Sequence, residues 1–487
     1  MSIALLAPLA GAAGASPAGS LSIATLGTAT ILLLFIVSLG TAGLGALGAQ
    51  RRSERLIEGA VQGTYASFGL AAFASSLIIY AFLAGDYSIQ YVQHTSDAAM
   101  PLFYKITAFW GGLDGSLLFW VLLHTLFGSL AVRANRKRHR ELIPHVVAVL
   151  ATITCFFVGL LLFIKDPFAQ YLLEVPTQGR GLNPLLQNFY MIIHPPSLYV
   201  GFVGCTIPFA FCVAALVTGR LGDEWIKACR KFTLFAWLFL GIGNTLGMLW
   251  AYEELGWGGY WAWDPVENAA FMPFLVISAF VHSVMIQERR GMMKVWNVFL
   301  ICLTFFMTIF GTFLTRSGTI ASVHSFAQSS IGEYFVWFLV LVAGFCFTLI
   351  LYRWPELRDL PPSPRLRKAA MITGWAMLLL LTGSYLVASK VGGAALSNAP
   401  GAMTADAATA YNLKRTLIKV LAFSLLAGGA VYAALELVYR RLTQGLKLVS
   451  TLPRLESLWS REFTFMLNNW GLLSLSLIHI SEPTRPY

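Results

Sequence analysis

Val146-Val-Ala-Val-Leu-Ala-Thr-Ile-Thr-Cys-Phe-Phe-Val-Gly-Leu-Leu-Leu-Phe-Ile164 carries no charged residue. As a helix rising about 1.5 Å per residue, it crosses a hydrocarbon core of about 30 Å. Runs of this kind recur near residues 22–47, 61–84, 116–132, 197–218, 232–252, 269–286, 295–314, 334–352, 369–389 and 416–438, and another begins near 463. Lipid offers the backbone no hydrogen bonds, so each such run is expected to be a helix. The predicted fold is all-α, a polytopic transmembrane helical bundle of about 11–12 spans. With 57% hydrophobic and 12% charged residues, the composition excludes an ordinary soluble domain and a disordered chain alike.

The net charge of +11 suggests nucleic acid at first sight, but the cations occupy alternate loops. They fall at Arg51, Arg52 and Arg55, at Arg133 to Arg140, at Arg220 to Lys231, at Arg289 to Lys294, at Arg353 to Lys368, and at Arg440 and Arg441. That alternation marks membrane topology rather than a nucleic-acid surface, and it predicts cytoplasmic basic loops with the N-terminus outside. The loops at 85–115, 165–196, 253–268, 315–333 and 390–415 then face outward. Met1–Ser20 has no Lys or Arg, so it lacks the basic region of a cleavable signal peptide, and the first span is expected to be retained. The six cysteines fall in spans or in a cytoplasmic loop, with no C-x-x-C, which excludes a disulfide framework and covalent haem attachment.

One loop stands apart: Trp257-Gly-Gly-Tyr-Trp-Ala-Trp-Asp-Pro-Val-Glu-Asn268, with Trp250 just before it. Trp257, Tyr260, Trp261 and Trp263 crowd large rings together, and Gly258 and Gly259 let the backbone approach a ligand. On composition alone, an interfacial aromatic belt explains the rings as well as a binding platform does. The punctuation favours a platform for a planar, largely apolar ligand. Asp264 and Glu267 sit with Pro265 and Asn268 at a helix start, where carboxylates suit the macrodipole, and a belt needs none of these.

This run resembles the WWD signature of the haem-handling proteins of cytochrome c maturation, which include CcmF-type, CcmC-type and CcsA-type members. Three further segments are similar to the CcmF type in order and spacing. They are Trp110-Gly-Gly-Leu-Asp-Gly-Ser-Leu-Leu-Phe-Trp120, Asn188-Phe-Tyr-Met-Ile-Ile-His-Pro-Pro-Ser-Leu-Tyr199 and Thr315-Arg-Ser-Gly-Thr-Ile-Ala-Ser-Val-His324. The resemblance covers about residues 30–350. It implies a subunit that receives haem from a CcmE-type chaperone and attaches it to an apocytochrome c carrying C-x-x-C-H, together with CcmH/CcmI-type partners. Membrane lipid and quinol are further expected partners, and nucleic acid is not.

Of the eight histidines, His194 and His324 lie in expected outer loops on either side of the Trp-rich segment. Imidazole is a common axial ligand of haem iron, and two such ligands make a six-coordinate site. Without the motif either histidine is better read as a loop residue bonded at the headgroup level; the resemblance reverses that reading and makes both the ligands of substrate haem. His282 lies about fourteen residues into the seventh span, where an ionisable side chain is costly and points to function. The resemblance makes it one ligand of a b-type haem whose second ligand lies beyond this sequence. Arg316 is expected to pair with a haem propionate or, equally, with Asp264 or Glu267. His94, His124, His139 and His145 carry no motif, and His479 is given no role.

The expected organisation is a haem-handling core at 1–352, a two-span insertion within 353–460, the start of a further span at 461–474, and a tail at 475–487. The family's Arg-Glu and Asn-Asn element appears only at Arg461-Glu462 and Asn468-Asn469, which makes the spans near 369–389 and 416–438 look inserted. The tail resembles translated sequencing adapter rather than native protein, so the gene is expected to continue.

The expected function is cytochrome c haem lyase activity in a complex at the bacterial inner membrane, with the WWD loop on the periplasmic side. No local nucleophile or general base stands out, so catalysis would rest on positioning and control of the iron's oxidation state. The alternative is a haem transporter or delivery protein that hands haem to a chaperone without forming thioether bonds. A weaker third reading is a respiratory or quinone-linked subunit.

Overall fold

The computed structural model describes residues 22–256, 258–316 and 331–359, with residue 441 and short helical pieces within 364–379 and 464–474. The helices are α1 (Ile23–Arg51), α2 (Glu54–Ala84), α3 (Gln90–Thr95), α4 (Leu102–Gly111), α5 (Leu113–Asn135), α6 (Ile143–Phe163), α7 (Phe189–Gly204), α8 (Thr206–Thr218), α9 (Glu224–Glu254), α10 (Pro265–Arg290), α11 (Lys294–Arg316), α12 (Gly332–Tyr352) and α13 (Trp354–Leu357). Among the described residues nine helical segments are long and apolar enough to cross a membrane, α7 and α8 counting as one interrupted at Cys205. They match the first nine runs read from the sequence, so the chain is a multi-pass helical membrane protein. The expected spans near 369–389, 416–438 and beyond 463 lie mostly outside the described residues.

Local signals set the helix ends. The Ser22 side chain accepts the Thr25 N–H (3.1 Å) at the start of α1, and Asp264 caps α10 with Pro265 in its first position. Left-handed glycines stop α2 at Gly85, α8 at Gly219 and α10 at Gly291. The basic ends meet at one face of the bundle. There Arg136 approaches Glu58 (3.8 Å), Arg220 pairs with Glu141, Arg230 pairs with Glu288, and Arg353 Nε donates to the Leu216 carbonyl (2.7 Å). Exposed pairs of this kind stabilise weakly, about 0–1 kcal/mol each. Their value here is to show that the basic loops share one end of the bundle.

The α7–α9 contact is among the closest in the bundle. A Cβ on Gly201 of α7 would lie 2.6 Å from the Leu240 backbone nitrogen, and one on Gly243 of α9 would lie 2.8 Å from Leu198 Cα. Small residues at such a seam let two backbones approach inside the membrane. Gly201→Val is therefore expected to destabilise the protein by about 1–3 kcal/mol through overpacking. Thermal unfolding in detergent checks this, and an unchanged midpoint would mean the seam tolerates a wider spacing.

Candidate functional site

At the end of the bundle opposite the basic loops, the segments before α4 and after α6 pack into a cover. Gln90 N donates to the Ala169 carbonyl (2.8 Å) and Arg180 N to the Gln93 carbonyl (2.8 Å). Beneath it, Tyr91 fixes the α4–α5 junction, its hydroxyl donating to the Ala108 and Phe109 carbonyls (3.0 and 3.1 Å) and accepting from Gly112 N–H (3.1 Å). Burial, reinforced by the nearby Asp114 carboxylate, raises the phenol's pKa above its ordinary value, so Tyr91 stays a neutral donor. Nothing in the local residues marked Tyr91, which lies in a short helix without a motif. It ties together the helices that carry Trp110 and Trp120.

His194 is not in a loop. The helix begins at Asn188, whose Oδ1 accepts Tyr190 N–H (2.7 Å), and His194 lies inside α7 with Pro195 and Pro196. The helix accommodates Pro195 because the bond it forfeits is replaced. Pro195 has no N–H for the carbonyl four residues back, Met191, and that carbonyl accepts the Trp110 indole N–H instead (3.2 Å). Asn188 Nδ2 also bonds Glu253 and Glu254 (both 2.8 Å), joining the start of α7 to the end of α9.

The His194 ring is held on three sides. Nδ1 lies 2.8 Å from the Gly243 carbonyl, which can only accept, so Nδ1 carries the proton and Nε2 the lone pair. Trp250 stacks parallel to the ring (6.4 Å between centroids, 13° between planes), and Trp250 Nε1 donates to the Leu185 carbonyl (3.1 Å). On the α9 side, a Cβ at Gly247 would lie 2.6 Å from His194 Cε1. Only glycine leaves the imidazole room.

His194 and Trp250 line a cavity of about 210 Å³ with Trp110, Trp120, Tyr199 and Arg316. The first turns of α10 contribute Val266 and Ala269, and the last turn of α11 contributes Thr312 and Thr315. All four motif segments therefore reach one cavity, although only the helical side of the Trp-rich segment does. Arg316 donates to the Tyr199 hydroxyl. Trp120 is buried, and its indole N–H has no partner among the described residues.

In the Trp-rich loop, Gly256 and Gly258 adopt positive φ (65° and 73°), as does Trp263 (59°), a left-handed conformation costly for a non-glycine residue. Trp261 meets Trp263 edge to face (5.6 Å) and packs on Phe271 (5.7 Å), while Tyr260 stacks on Tyr252 (4.4 Å). Tyr260 and Trp263 remain about half exposed (48% and 46%), so they form an open aromatic surface. Neither lines the cavity, and Gly259 does not line it either. Trp257 lies outside the described residues.

Asp264, Glu267 and Asn268 stand at a helix start, as expected, and the bonds they make here shape the loop. Asp264 Oδ1 accepts Val266 N–H (2.8 Å), Glu267 Oε2 accepts the Ala262 and Asp264 N–H groups (both 3.0 Å), and Asn268 Nδ2 donates to the Trp263 carbonyl (3.1 Å). This is a capping box followed by a clamp on the strained tryptophan. Glu267→Ala is expected to cost about 1 kcal/mol and to loosen the loop, whereas Glu267→Gln keeps an acceptor. Proteolysis of the loop should rise in the first variant and not in the second; equal protection would show that the cap is dispensable.

His282 lies far from this cavity. It is seventeen residues into α10, about 26 Å along the axis from Pro265 and past the middle of the helix. Its Nδ1 donates to the Ser278 carbonyl (2.7 Å), which leaves the lone pair on Nε2, as in His194. His324 lies outside the described residues, so its place relative to the cavity is not part of this geometry.

Residues 110–321 match the family described as cytochrome C assembly protein, and every residue lining the cavity falls within that range. The cytochrome c-type biogenesis protein CcmF of Pseudomonas aeruginosa is 42% identical over 314 residues, 64% of this chain and 48% of that protein. CcmF of Escherichia coli is 37% identical over 346 residues, 70% of this chain and 54% of that protein. Over the matched residues the chain is similar to CcmF-type cytochrome c assembly proteins. A solved structure of a "Cytochrome c Heme Lyase CcmF" superposes with a TM-score of 0.59 at 28% identity, covering 97% of this chain and 78% of that one. The chain spans about half the length of the curated relatives it matches.

Proposed function

We propose that this chain binds haem as a substrate in cytochrome c maturation and, with partner subunits, promotes its covalent attachment to apocytochrome c. The observation that carries the reading is His194, a histidine of fixed tautomer clamped against Trp250 in an aromatic cavity where the family's motif segments meet. Nε2 supplies an axial ligand to haem iron, and the Gly243 carbonyl orients the ring and raises its basicity. Arg316 supplies charge for a propionate. At about 210 Å³ the cavity is smaller than the roughly 300–1,000 Å³ of a pocket that engulfs a drug-sized ligand. It therefore takes part of the macrocycle and leaves the rest accessible to a partner. His324 and Trp257 belong to the same proposal as second axial ligand and platform ring.

Each thioether forms when a cysteine thiol adds across a haem vinyl group: sulfur joins one carbon, hydrogen the other, and no oxidant is consumed. The protein's share is to hold the vinyl edge where the C-x-x-C-H peptide reaches it. The peptide's histidine then replaces one axial ligand and releases the product. The basic loops are cytoplasmic by the positive-inside rule, which puts the cavity on the periplasmic side of an inner membrane. A CcmE-type chaperone and CcmH/CcmI-type subunits are the proposed partners there.

His282 fits a b-type haem, since its imidazole is intramembrane and its lone pair is on Nε2. Such a haem would supply electrons that keep the substrate iron ferrous. His282→Ala in protein purified from membranes is expected to lose the b-type absorbance and leave substrate haem at the cavity. An unchanged b-type spectrum would remove His282 as a ligand.

Co-expression with an apocytochrome c and the partner subunits tests the activity itself. Haem-stained holocytochrome that depends on this protein supports a lyase. Chaperone loading with no holocytochrome would establish delivery instead.

A further inference from the structure

A second cavity lies between α1, α2, α5 and α6, with a volume of about 10 Å³, close to the smallest space that holds one water molecule. Its polar walls are Thr41, Thr64, Ser67, His124, Thr125 and Thr154, and no charged residue lines it. Each hydroxyl already spends its proton on its own helix. Thr41 donates to Val37 (2.7 Å), Thr64 to Ala60 (3.1 Å), Ser67 to Gly63 (2.9 Å), Thr125 to Val121 (2.8 Å) and Thr154 to Leu150 (3.0 Å). What they turn to the cavity is lone pairs.

His124 completes the set. It is 2% exposed, and its Nε2 lies 3.0 Å from the Leu150 carbonyl. A carbonyl only accepts, so Nε2 carries the proton and Nδ1 the lone pair. Nδ1 is buried and has no partner among the described residues. Six acceptors thus face one small space to which the described residues bring no donor.

We propose that this cavity binds one water molecule, which donates one hydrogen to His124 Nδ1 and the other to a hydroxyl oxygen. An empty cavity would leave a buried imidazole nitrogen unpaired, which is costly, and polar cavities of this size are not dry. A bare cation needs charge compensation that no lining residue supplies, and an imidazolium would meet the same obstacle inside the membrane. Water is neutral, small enough, and supplies the donors the walls lack. It gives His124 Nδ1 a bridge to a neighbouring hydroxyl, beside the direct bond from Nε2 to the Leu150 carbonyl of α6.

The test is a pair of maps of the purified full-length protein in lipid nanodiscs, at a resolution that shows ordered waters, one in sodium chloride and one in choline chloride. The expected result is one peak at hydrogen-bond distance from His124 Nδ1 and from at least one of the hydroxyls, equally strong in both salts. No peak overturns the proposal, and a peak present only in sodium replaces water with a cation. His124→Leu should lose the peak while the surrounding helices stay in place. A peak that persists in that variant would mean His124 does not hold the water. If the variant does not fold, the two wild-type maps decide alone.

Discussion

His194→Ala is expected to weaken haem binding at the cavity roughly ten-fold or more, since losing about 1.4 kcal/mol or more of an axial bond is a factor of ten in affinity. The reason lies in how completely the ring is fixed. Gly243 takes the Nδ1 proton, Trp250 covers one face, and α9 comes within contact distance at Gly247. A ligand so restrained loses little conformational entropy on binding iron. The variant should fold, because the alanine leaves the Trp110–Met191 bond and the Asn188 cap intact. Titration of the purified protein with haem, followed in the Soret band, checks the loss, and glycine at 194 with added imidazole should recover part of it.

Gly247→Leu is expected to reach nearly the same loss without touching the ligand. A Cβ there would lie 2.6 Å from Cε1, 3.1 Å from Nδ1 and 3.2 Å from Nε2 of His194. The ring must shift away from α9 and give up the Gly243 bond. Gly247→Ala should produce a smaller effect in the same direction. Because both changes act through one imidazole, His194→Ala combined with Gly247→Leu should bind haem no worse than His194→Ala alone. An additive loss in the double variant would show that Gly247 serves something other than the histidine.

The membrane architecture could be read from residues such as Val146–Ile164 because bilayer thickness and backbone satisfaction leave few choices. The alternation of Arg and Lys predicted that the start of α2 and the end of α5, and likewise the start of α9 and the end of α10, lie on the basic face, as the Arg136–Glu58 and Arg230–Glu288 pairs show. What the pattern misjudged was local. Pro195-Pro196 suggested a helix boundary, but the loss of a backbone donor is repaired from a distant tryptophan, which no local rule detects. Asp264 and Glu267 were legible as a helix start, and their geometry as a cap is written in the three-residue spacing. Tyr91 and Gly247 were invisible because their importance arises from contacts with residues far away in the chain. The aromatic loop emerges as the open surface beside the cavity, and Trp110, Trp120 and Trp250 emerge as its walls.

The most direct test of haem held at His194 is the haem content and Soret spectrum of protein purified from membranes, compared for wild type, His194→Ala and His282→Ala. The account predicts that His194→Ala loses the low-spin, imidazole-ligated haem of the cavity while His282→Ala retains it. Equal haem with an unchanged spectrum in His194→Ala would contradict it.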